Sequence, residues 1–218
     1  MTQCQRFGYH DRVATRRAEI REARELTRER IVAAVEELVR DESYATLTVE
    51  DVMHEAGIGR TIFDRHFDDL AELLRRAGRE AIDGMFEAQR ALRDARMGDS
   101  LQVVRAAIEP AVAVYQRHGA LLRAIAEAAA SEDRIAEGQE AMRRRFDQLV
   151  ENALREMPAM AANPPANIAE TARALNLMNE SYLRDAFGGE PRVSAETAIQ
   201  TLTEVWFAVI HRNGNGGI

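Results

Sequence analysis

Residues 59–66 carry the side chains whose chemistry is easiest to interpret. Arg60 and Arg65 can donate hydrogen bonds to phosphate or guanine, and Thr61 can contact a base or a phosphate. Asp64 is the exception, because a carboxylate repels phosphate unless it accepts from a cytosine amine or pairs with an arginine. Arg60 and Asp64 have the i, i+4 spacing that such a pair needs on a helix. The cluster predicts a DNA-contacting surface.

Two short helices joined by a glycine turn are predicted to position this surface. The first helix has its apolar residues on one face: Val49, Val52, Met53 and Ala56. Thr48 and Asp51 form a near capping box at its start, and Gly57 can adopt the positive φ that ends a helix. The second helix, over about 60–66, is expected to bury an inner stripe of Ile58, Ile62, Phe63, His66 and Phe67. Such a pair is a helix-turn-helix, whose second helix can enter a DNA major groove.

The outward face of the second helix supplies most candidate DNA contacts. Thr48 is a further candidate, because it lies at the positive end of the first helix, where a phosphate can bind. His66 is also a candidate, although its spacing from Phe63 fits packing as well. The predicted DNA-binding residues are therefore Thr48, Arg60, Thr61, Asp64, Arg65 and His66.

The run 56–67 resembles the signature of TetR-type bacterial transcriptional regulators, which reads roughly A-G-[VI]-[SG]-[KR]-x-[TS]-[LF]-Y-x-[HY]-F. The matching residues are Ala56, Gly57, Ile58, Arg60, Phe63, His66 and Phe67. Asp64 stands where the family has a tyrosine, and Ile62 stands where it has a hydroxyl residue. The resemblance covers about residues 27–75. It implies a homodimer that binds double-stranded operator DNA and responds to a small hydrophobic ligand.

The composition favours an all-helical protein. The chain has 218 residues, 46% of them hydrophobic, with only 5 Pro and long stretches without a helix breaker. The predicted fold is all-α, with an N-terminal three-helix helix-turn-helix head joined by a long helix to a C-terminal ligand-binding and dimerisation bundle. The expected domains are an Arg-rich arm, disordered or helical, at 1–26, the head at 27–75, the bundle at 76–212, and a flexible tail at 213–218.

Any positive charge that binds DNA must be local, because the net charge is −7. The N-terminal arginines supply it together with Arg60 and Arg65: Arg12, Arg16, Arg17, Arg21, Arg24, Arg28 and Arg30. Residues 1–11 are predicted to be disordered. Residues 12–27 form either a solvated arm or an arm that reaches DNA phosphates or a minor groove, and both can hold if the arm orders on DNA.

Caps and breakers predict the remaining helix boundaries. Thr27 is the expected N-cap of the first helix. Asp68 or Asp69 is expected to cap a long helix that runs to about residue 93 and links the head to the bundle. Pro110 is expected to kink or restart the next helix, and Ser131 is expected to start another that ends near residue 157.

The two C-terminal helices, predicted at about 167–187 and 194–211, are conspicuously apolar. Their apolar residues are Ile168, Ala172, Leu175, Met178 and Tyr182 in the first, and Leu202, Val205, Trp206, Val209 and Ile210 in the second. Paired with the same helices of a second copy, they would form a four-helix interface with the two-fold symmetry that reading two half-sites requires. The alternative is that they complete the core of the monomer.

Asn176 and Asn179 share the first of these helices, and buried asparagines need hydrogen-bond partners. The run 174–180 resembles the C-terminal domain of the ethionamide-activation repressor subgroup. That resemblance implies that both asparagines and Trp206 face an apolar ligand tunnel, with Met142 and Phe146 as further candidates. The alternative is that the asparagines only bond to neighbouring helices.

No residue pattern in the chain indicates catalysis, a metal site or a cofactor. His54-Glu55 begins like a zinc-protease motif, but Ile58 stands where the second histidine is required. The single cysteine, the lack of an apolar leader and the lack of an apolar run of about 18 residues predict a cytoplasmic protein without a membrane segment.

The leading hypothesis is a ligand-responsive repressor. A ligand-sequestering protein whose head has lost DNA binding is the alternative, and an enzyme has no supporting constellation.

Overall fold

A computed structural model of the protein describes the backbone of residues 4–94 and 101–211, and the side chains of residues 16–86 and 101–211. The regular structure of these residues is entirely helical, which confirms the all-α fold. In chain order the helices are α1 (Cys4–Asp41), α2 (Val49–Ala56), α3 (Arg60–Phe63), α4 (Leu70–Asp94), α5 (Leu101–Ala128), α6 (Asp133–Glu156), α7 (Pro158–Ala162), α8 (Ile168–Phe187) and α9 (Ala195–Ile210).

The helix-turn-helix head forms around a set of apolar side chains that are almost entirely excluded from solvent. They come from α1, α2, the segment around α3 and the start of α4, and they include Ile31, Val35, Val39, Val52, Phe63, Phe67, Leu73 and Leu74. The second half of α5 completes this core with Leu121, Ile125 and Ala128. The head therefore packs on the body, because its hydrophobic core is shared with a body helix.

A second core lies in the body, where α5, α8 and α9 pack together with α6. Its buried residues include Ile108, Val112, Leu154, Leu183 and Leu202. Helix α4 contributes to both cores, with Leu73 and Leu74 in the head and Met85 in the body. One continuous helix thus connects the interior of the head with the interior of the body.

Helix α5 has its one non-helical residue at His118, not at Pro110. His118 has non-helical angles, φ −120° and ψ 16°, whereas the helix continues through Pro110. The helix does not restart at Pro110, as the sequence had suggested it could. Buried neighbours such as Ile108 and Val112 hold the helix together there, so tertiary packing outweighs the cost of the proline ring. The change at His118 separates the half of α5 that serves the body from the half that serves the head.

Two predicted helix starts are also wrong. Helix α1 runs through Thr27, whose hydroxyl donates to the carbonyl of Ala23 at 2.8 Å instead of capping a helix. No breaker lies between Arg12 and Thr27, and the helix extends back through Gly8 to Cys4, so the expected disorder of residues 4–11 is wrong as well. Ser131 precedes α6, whose N-cap is Glu132. Residues 1–3 and the predicted flexible tail at 213–218 lie outside the described residues.

The C-terminal helices begin close to their predicted starts, with Asn167 capping α8 and Ser194 capping α9. Half of the apolar residues assigned to a dimer interface instead complete the core of the monomer: Ala172, Leu175, Leu202, Trp206 and Ile210. The outward side of the pair retains Leu177 and Val205, which are 36% and 38% exposed. Within the described residues, no helix is long and apolar enough to cross a membrane.

Candidate nucleic-acid interface and internal cavity

Helix α2 is anchored at its start by a complete capping box. The Thr48 hydroxyl oxygen accepts from the backbone N–H of Asp51 at 3.2 Å, and the Asp51 carboxylate accepts from the backbone N–H of Thr48 at 2.9 Å. The Thr48 hydroxyl also donates to this carboxylate, and this hydrogen bond lowers the pKa of Asp51. A phosphate contact from Thr48 would therefore have to displace that bond.

The turn after α2 is fixed by Gly57 and Arg30. Gly57 adopts the left-handed conformation, φ 61° and ψ 43°, which a residue with a Cβ rarely takes. The Arg30 guanidinium, from α1, donates to the carbonyl of Ala56 at 2.6 Å. Both features hold the chain at the point where it turns, so the direction of α3 is set by α1 as well as by α2.

Helix α3 is shorter than predicted. Regular α-helix covers only Arg60–Phe63, and residues 64–66 form turns rather than the second helical turn expected over 60–66. The amide of His66 bonds to the carbonyl of Phe63 at 2.8 Å, an i→i−3 contact that tightens the end of the helix. Phe63 and Phe67, four residues apart, both enter the head core, with ring centroids 5.9 Å apart.

The outward side of this segment is free of the protein's own chain. Five residues predicted to face outward are all exposed: Gly59, Arg60, Thr61, Asp64 and Arg65. Ile62 was assigned to the inner stripe, and that assignment is wrong, because its side chain is 39% exposed. The inner stripe was derived by applying the helical repeat to residues 58–67, but only the single turn Arg60–Phe63 is regular α-helix. An exposed Ile62 offers an apolar surface that could contact a thymine methyl group.

The charges on this surface are unequal. Arg60 donates to Asp64 at 2.9 Å, as its spacing predicts, and also to Glu50 at 3.1 Å. Arg65 makes no ion pair within the described part of the chain, so its charge is not compensated locally. Burial lowers the pKa of His66, and the positive charges of Arg24 and Arg28 lower it further. His66 is half-buried and will be neutral near pH 7, which leaves Arg65 as the main uncompensated cation of the segment.

The body encloses a cavity of about 590 Å³. Its wall is mainly apolar and includes Met85, Val104, Ile108, Ala111, Leu149, Val150 and Leu183. The five residues predicted to bind a ligand all lie in this wall: Met142, Phe146, Asn176, Asn179 and Trp206. A mostly apolar cavity with a few polar groups is the general form of a small-molecule site.

Hydrogen bonds across the cavity wall fix the orientation of both asparagine amides. The Trp206 indole N–H donates to Asn179 Oδ1 at 2.9 Å, and Asn176 Nδ2 donates to Asp147 Oδ1 at 2.7 Å. An indole N–H can only donate and a carboxylate can only accept, so neither amide can be reversed. The NH₂ group of Asn179 therefore remains available to donate to a ligand, and the carbonyl oxygen of Asn176 remains available to accept from one. The asparagines bond to neighbouring helices and line the cavity at the same time.

Sequence reasoning missed an ion-paired group in the same wall. Arg143 donates two hydrogen bonds to Glu180, at 2.9 and 3.1 Å, and Arg184 donates a third at 3.1 Å. Burial alone would raise the pKa of Glu180, but the hydrogen bond and charge of Arg143, together with Arg184, hold it below its usual value. Glu180 and Arg184 are one helical turn apart on α8, but Arg143 lies 37 residues from Glu180, so no local pattern predicts its pairing with Glu180.

Tyr115 completes the polar part of the wall. Burial raises the pKa of its hydroxyl, and the neighbouring charge of Glu180 raises it further, so the group stays protonated at neutral pH. The hydroxyl makes no hydrogen bond to any of the residues that the structure describes. Tyr115 thus brings to the cavity wall a hydroxyl donor with no partner among the described residues, which favours a ligand that brings an acceptor.

Helix α4 contacts this cavity directly. Met85 lines it, and the next residue, Phe86, stacks on the ring of Phe146 with centroids 4.2 Å apart and planes 16° from parallel. The guanidinium of Arg145 lies 3.8 Å from the centroid of the Phe86 ring. A ligand that displaced Phe146 would therefore press on α4, the helix that also carries Leu73 and Leu74 of the head core.

Comparison with known proteins agrees with this architecture. Residues 104–212 match the family described as the C-terminal domain of the transcriptional regulator EthR. An HTH-type transcriptional regulator EthR from Mycobacterium tuberculosis is 30% identical over 186 residues, which cover 83% of this chain and 85% of that protein.

Solved structures of lower identity share the fold. A regulatory protein of the TetR family from Rhodococcus matches with a TM-score of 0.65 and 15% identity, covering 84% of this chain and 96% of that one. The TetR-like regulator LfrR from Mycobacterium smegmatis, solved with proflavine, matches with a TM-score of 0.56 and 18% identity, covering 90% and 99%. The chain belongs to the EthR group of TetR-type helix-turn-helix transcriptional regulators, a family of DNA-binding regulators rather than enzymes.

Proposed function

We propose that this regulator is a cytoplasmic homodimer that represses transcription from its operator and leaves the DNA when a small hydrophobic ligand fills the cavity. The observation that carries this proposal is the path of α4. One end of the helix enters the head core through Leu73 and Leu74, and the cavity contacts it at Met85. Ligand binding that moves α4 changes the separation of the two heads. The protein leaves the DNA only if the ligand binds the DNA-free conformation more tightly than the DNA-bound one.

The head, assigned to residues 27–75, places α3 of each subunit in successive major grooves. Arg65 and Thr61 carry the main contacts, Ile62 adds an apolar contact, and Arg60 contributes less because Asp64 and Glu50 already pair with it. The remaining bundle, residues 76–212, binds the effector. Its exposed Leu177 and Val205, on the outer side of α8 and α9, belong to the dimer interface.

The effector is a mainly apolar molecule with one uncharged hydrogen-bond acceptor. The apolar wall requires the first property, and the unused donors of Tyr115 and Asn179 favour the second. Arg143 and Glu180 already pair with each other in the wall, so neither is free to act as the counter-ion of an ionised effector. LfrR, solved with proflavine, is a TetR-like regulator in complex with a small molecule, which supports a ligand role for this cavity.

A gel-shift titration with the DNA upstream of the regulator's own gene tests this function. Sequence-selective binding that weakens with salt and is reversed by the effector supports the repressor. A protein that binds apolar molecules but shows no selective DNA binding at any salt concentration would instead be the ligand-sequestering alternative. Mass spectrometry of small molecules that co-purify with the protein identifies the effector.

Replacing Asp64 with tyrosine is expected to tighten non-specific DNA binding by about 3-fold or more at low salt, because one repulsive charge per subunit is removed and Arg60 is partly freed. The measurement is a salt titration with an unrelated duplex. The control is Asp83→Tyr, which makes the same charge change at an exposed position of α4, away from the proposed DNA-contacting surface. Equal tightening in both variants, or none in Asp64→Tyr, would contradict the assigned surface.

Replacing Tyr115 with phenylalanine is expected to reduce ligand discrimination without affecting DNA binding. The parent protein should bind a long-chain methyl ketone more tightly than the alkane of equal length, by about 2- to 10-fold, because only the ketone accepts a hydrogen bond. Tyr115→Phe should lose most of this preference, as measured by calorimetry with both compounds. Tyr182→Phe is the control, since Tyr182 packs on the body core outside the cavity wall. A preference that survives in Tyr115→Phe would rule out the hydroxyl as the donor.

A further inference from the structure

Helix α1 extends well beyond the part that packs in the head. It spans Cys4–Asp41, about 57 Å at 1.5 Å per residue, but its first buried residue among those with described side chains is Ile31. Residues 16–26 are all exposed. Residues 16–26 therefore have no packing role within the subunit, so the pattern of their side chains indicates what they contact.

The charges on this projection are segregated. Arg17, Arg21 and Arg24 are spaced i, i+4, i+7, which places them within about 60° of one another around the helix axis. Glu19 and Glu22 lie well outside this stripe at the same rotation per residue, and Glu25, at its edge, pairs with Arg28. None of the three arginines forms an ion pair with any residue that the structure describes. The stripe therefore carries three uncompensated positive charges, unlike Arg28 at its end, which pairs with Glu25 and Glu80.

The position of Arg28 fixes where the stripe points. Its ion pair with Glu80 turns this face of α1 towards α4. Helix α4 follows residues 59–66, the proposed DNA-reading segment. On the same side, Arg76 of α4 donates to the carbonyl of His66 at 3.4 Å, and the charges of Arg24 and Arg28 both act on the His66 ring. The stripe therefore begins beside the end of the reading segment and leads away from it.

We propose that Arg17, Arg21 and Arg24 form a second DNA-binding surface, which contacts backbone phosphates flanking the half-site read by α3. The inference rests on the proposed DNA binding and extends the contact beyond the helix-turn-helix. The three guanidinium groups spread over roughly 10 Å of helix, a length similar to that of a few successive phosphates at about 3.4 Å of rise per strand. Phosphate contacts of this kind add affinity without reading sequence.

The test compares the parent with Arg17→Gln/Arg21→Gln/Arg24→Gln, in which glutamine preserves helix propensity. The control, Arg144→Gln/Arg155→Gln/Arg173→Gln, removes the same charge from exposed positions on the body. Each protein is titrated with salt on two probes: the upstream DNA of its own gene, and that duplex trimmed to its footprinted half-sites. Circular dichroism and thermal melting check that all three proteins are folded.

On the longer duplex, the stripe variant should bind at least about 10-fold more weakly than the parent near 0.1 M salt. Its slope of log K against log salt should be shallower by about 0.9 for each lost phosphate contact. Trimming the duplex should weaken DNA binding by the parent and by the control, but it should leave the affinity of the stripe variant almost unchanged.

A stripe variant with the parent's affinity and slope would overturn this inference alone, as would an equal loss in the control. A parent that binds neither duplex would overturn the proposed DNA binding and this inference together.

Discussion

Replacing Arg65 with glutamine is expected to weaken operator binding by about 30-fold or more in the dimer, while Arg60→Gln weakens it only by about 3-fold. Both residues are exposed on the outward side of the reading segment, and from the sequence they are equivalent candidates. The structure separates them because Arg60 is held by Asp64 and Glu50, whereas Arg65 has no ion pair among the described residues. A guanidinium that is free to donate contributes about 1–3 kcal/mol for a guanine contact, and each dimer carries two.

The measurement is a titration of both variants on the footprinted operator and on an unrelated duplex of the same length. If Arg65 contacts a base, the loss will be larger on the operator than on the unrelated duplex. If it contacts phosphate, the loss will be similar on both, and the salt dependence will become shallower. Equal losses for Arg60→Gln and Arg65→Gln would show that the ion pairs of Arg60 open on DNA, which contradicts the ranking.

Replacing Gly119 with alanine is expected to destabilise the protein by about 3 kcal/mol or more, one of the largest effects of any single methyl group in this chain. A Cβ at Gly119 would lie 2.1 Å from the carbonyl oxygen of Phe187 and 2.6 Å from its carbonyl carbon. Both are backbone atoms at the end of α8, so no side-chain rotation relieves the clash. Helices α5 and α8 would have to separate just after the change in direction at His118.

Chemical and thermal unfolding measure this effect, with Gly84→Ala as the matched control. Gly84 is a helical, exposed glycine of α4 with no atom within 4 Å of an added Cβ. Its replacement should stabilise the protein by about 0.5–1 kcal/mol, because alanine loses less backbone entropy in a helix. A Gly119→Ala protein as stable as the parent would mean that the contact between α5 and α8 is looser than the structure indicates.

The local parts of the head follow from neighbouring residues, so the sequence predicts them well. Thr48 and Asp51 close a capping box, Gly57 makes the left-handed turn, and Arg60 pairs with Asp64 one helical turn later. The starts of α8 and α9 are equally local, because Asn167 and Ser194 bond to amides three residues on. In each case the interacting groups are separated by a few residues, and their geometry hardly depends on the rest of the chain.

The errors occur where packing competes with local preference. Thr27 has the residue type of a helix cap, but α1 continues through it because no breaker lies in the stretch before it, from Arg12 to Leu26. Ile62 was expected on an inner stripe that requires a regular helix over 60–66, but the regular part of α3 ends at Phe63 and the Ile62 side chain is exposed.

The sequence by itself determined the helix-turn-helix, the family and the residues Asn176, Asn179 and Trp206 that line the cavity. Only the tertiary structure decided that the head shares its core with α5, and that Arg143, Glu180 and Tyr115 meet in the cavity wall. It also decided that Arg60 is neutralised while Arg65 is not. The physical reason is that burial and charge pairing depend on distances between residues far apart in the chain, and such distances are fixed only when the helices pack.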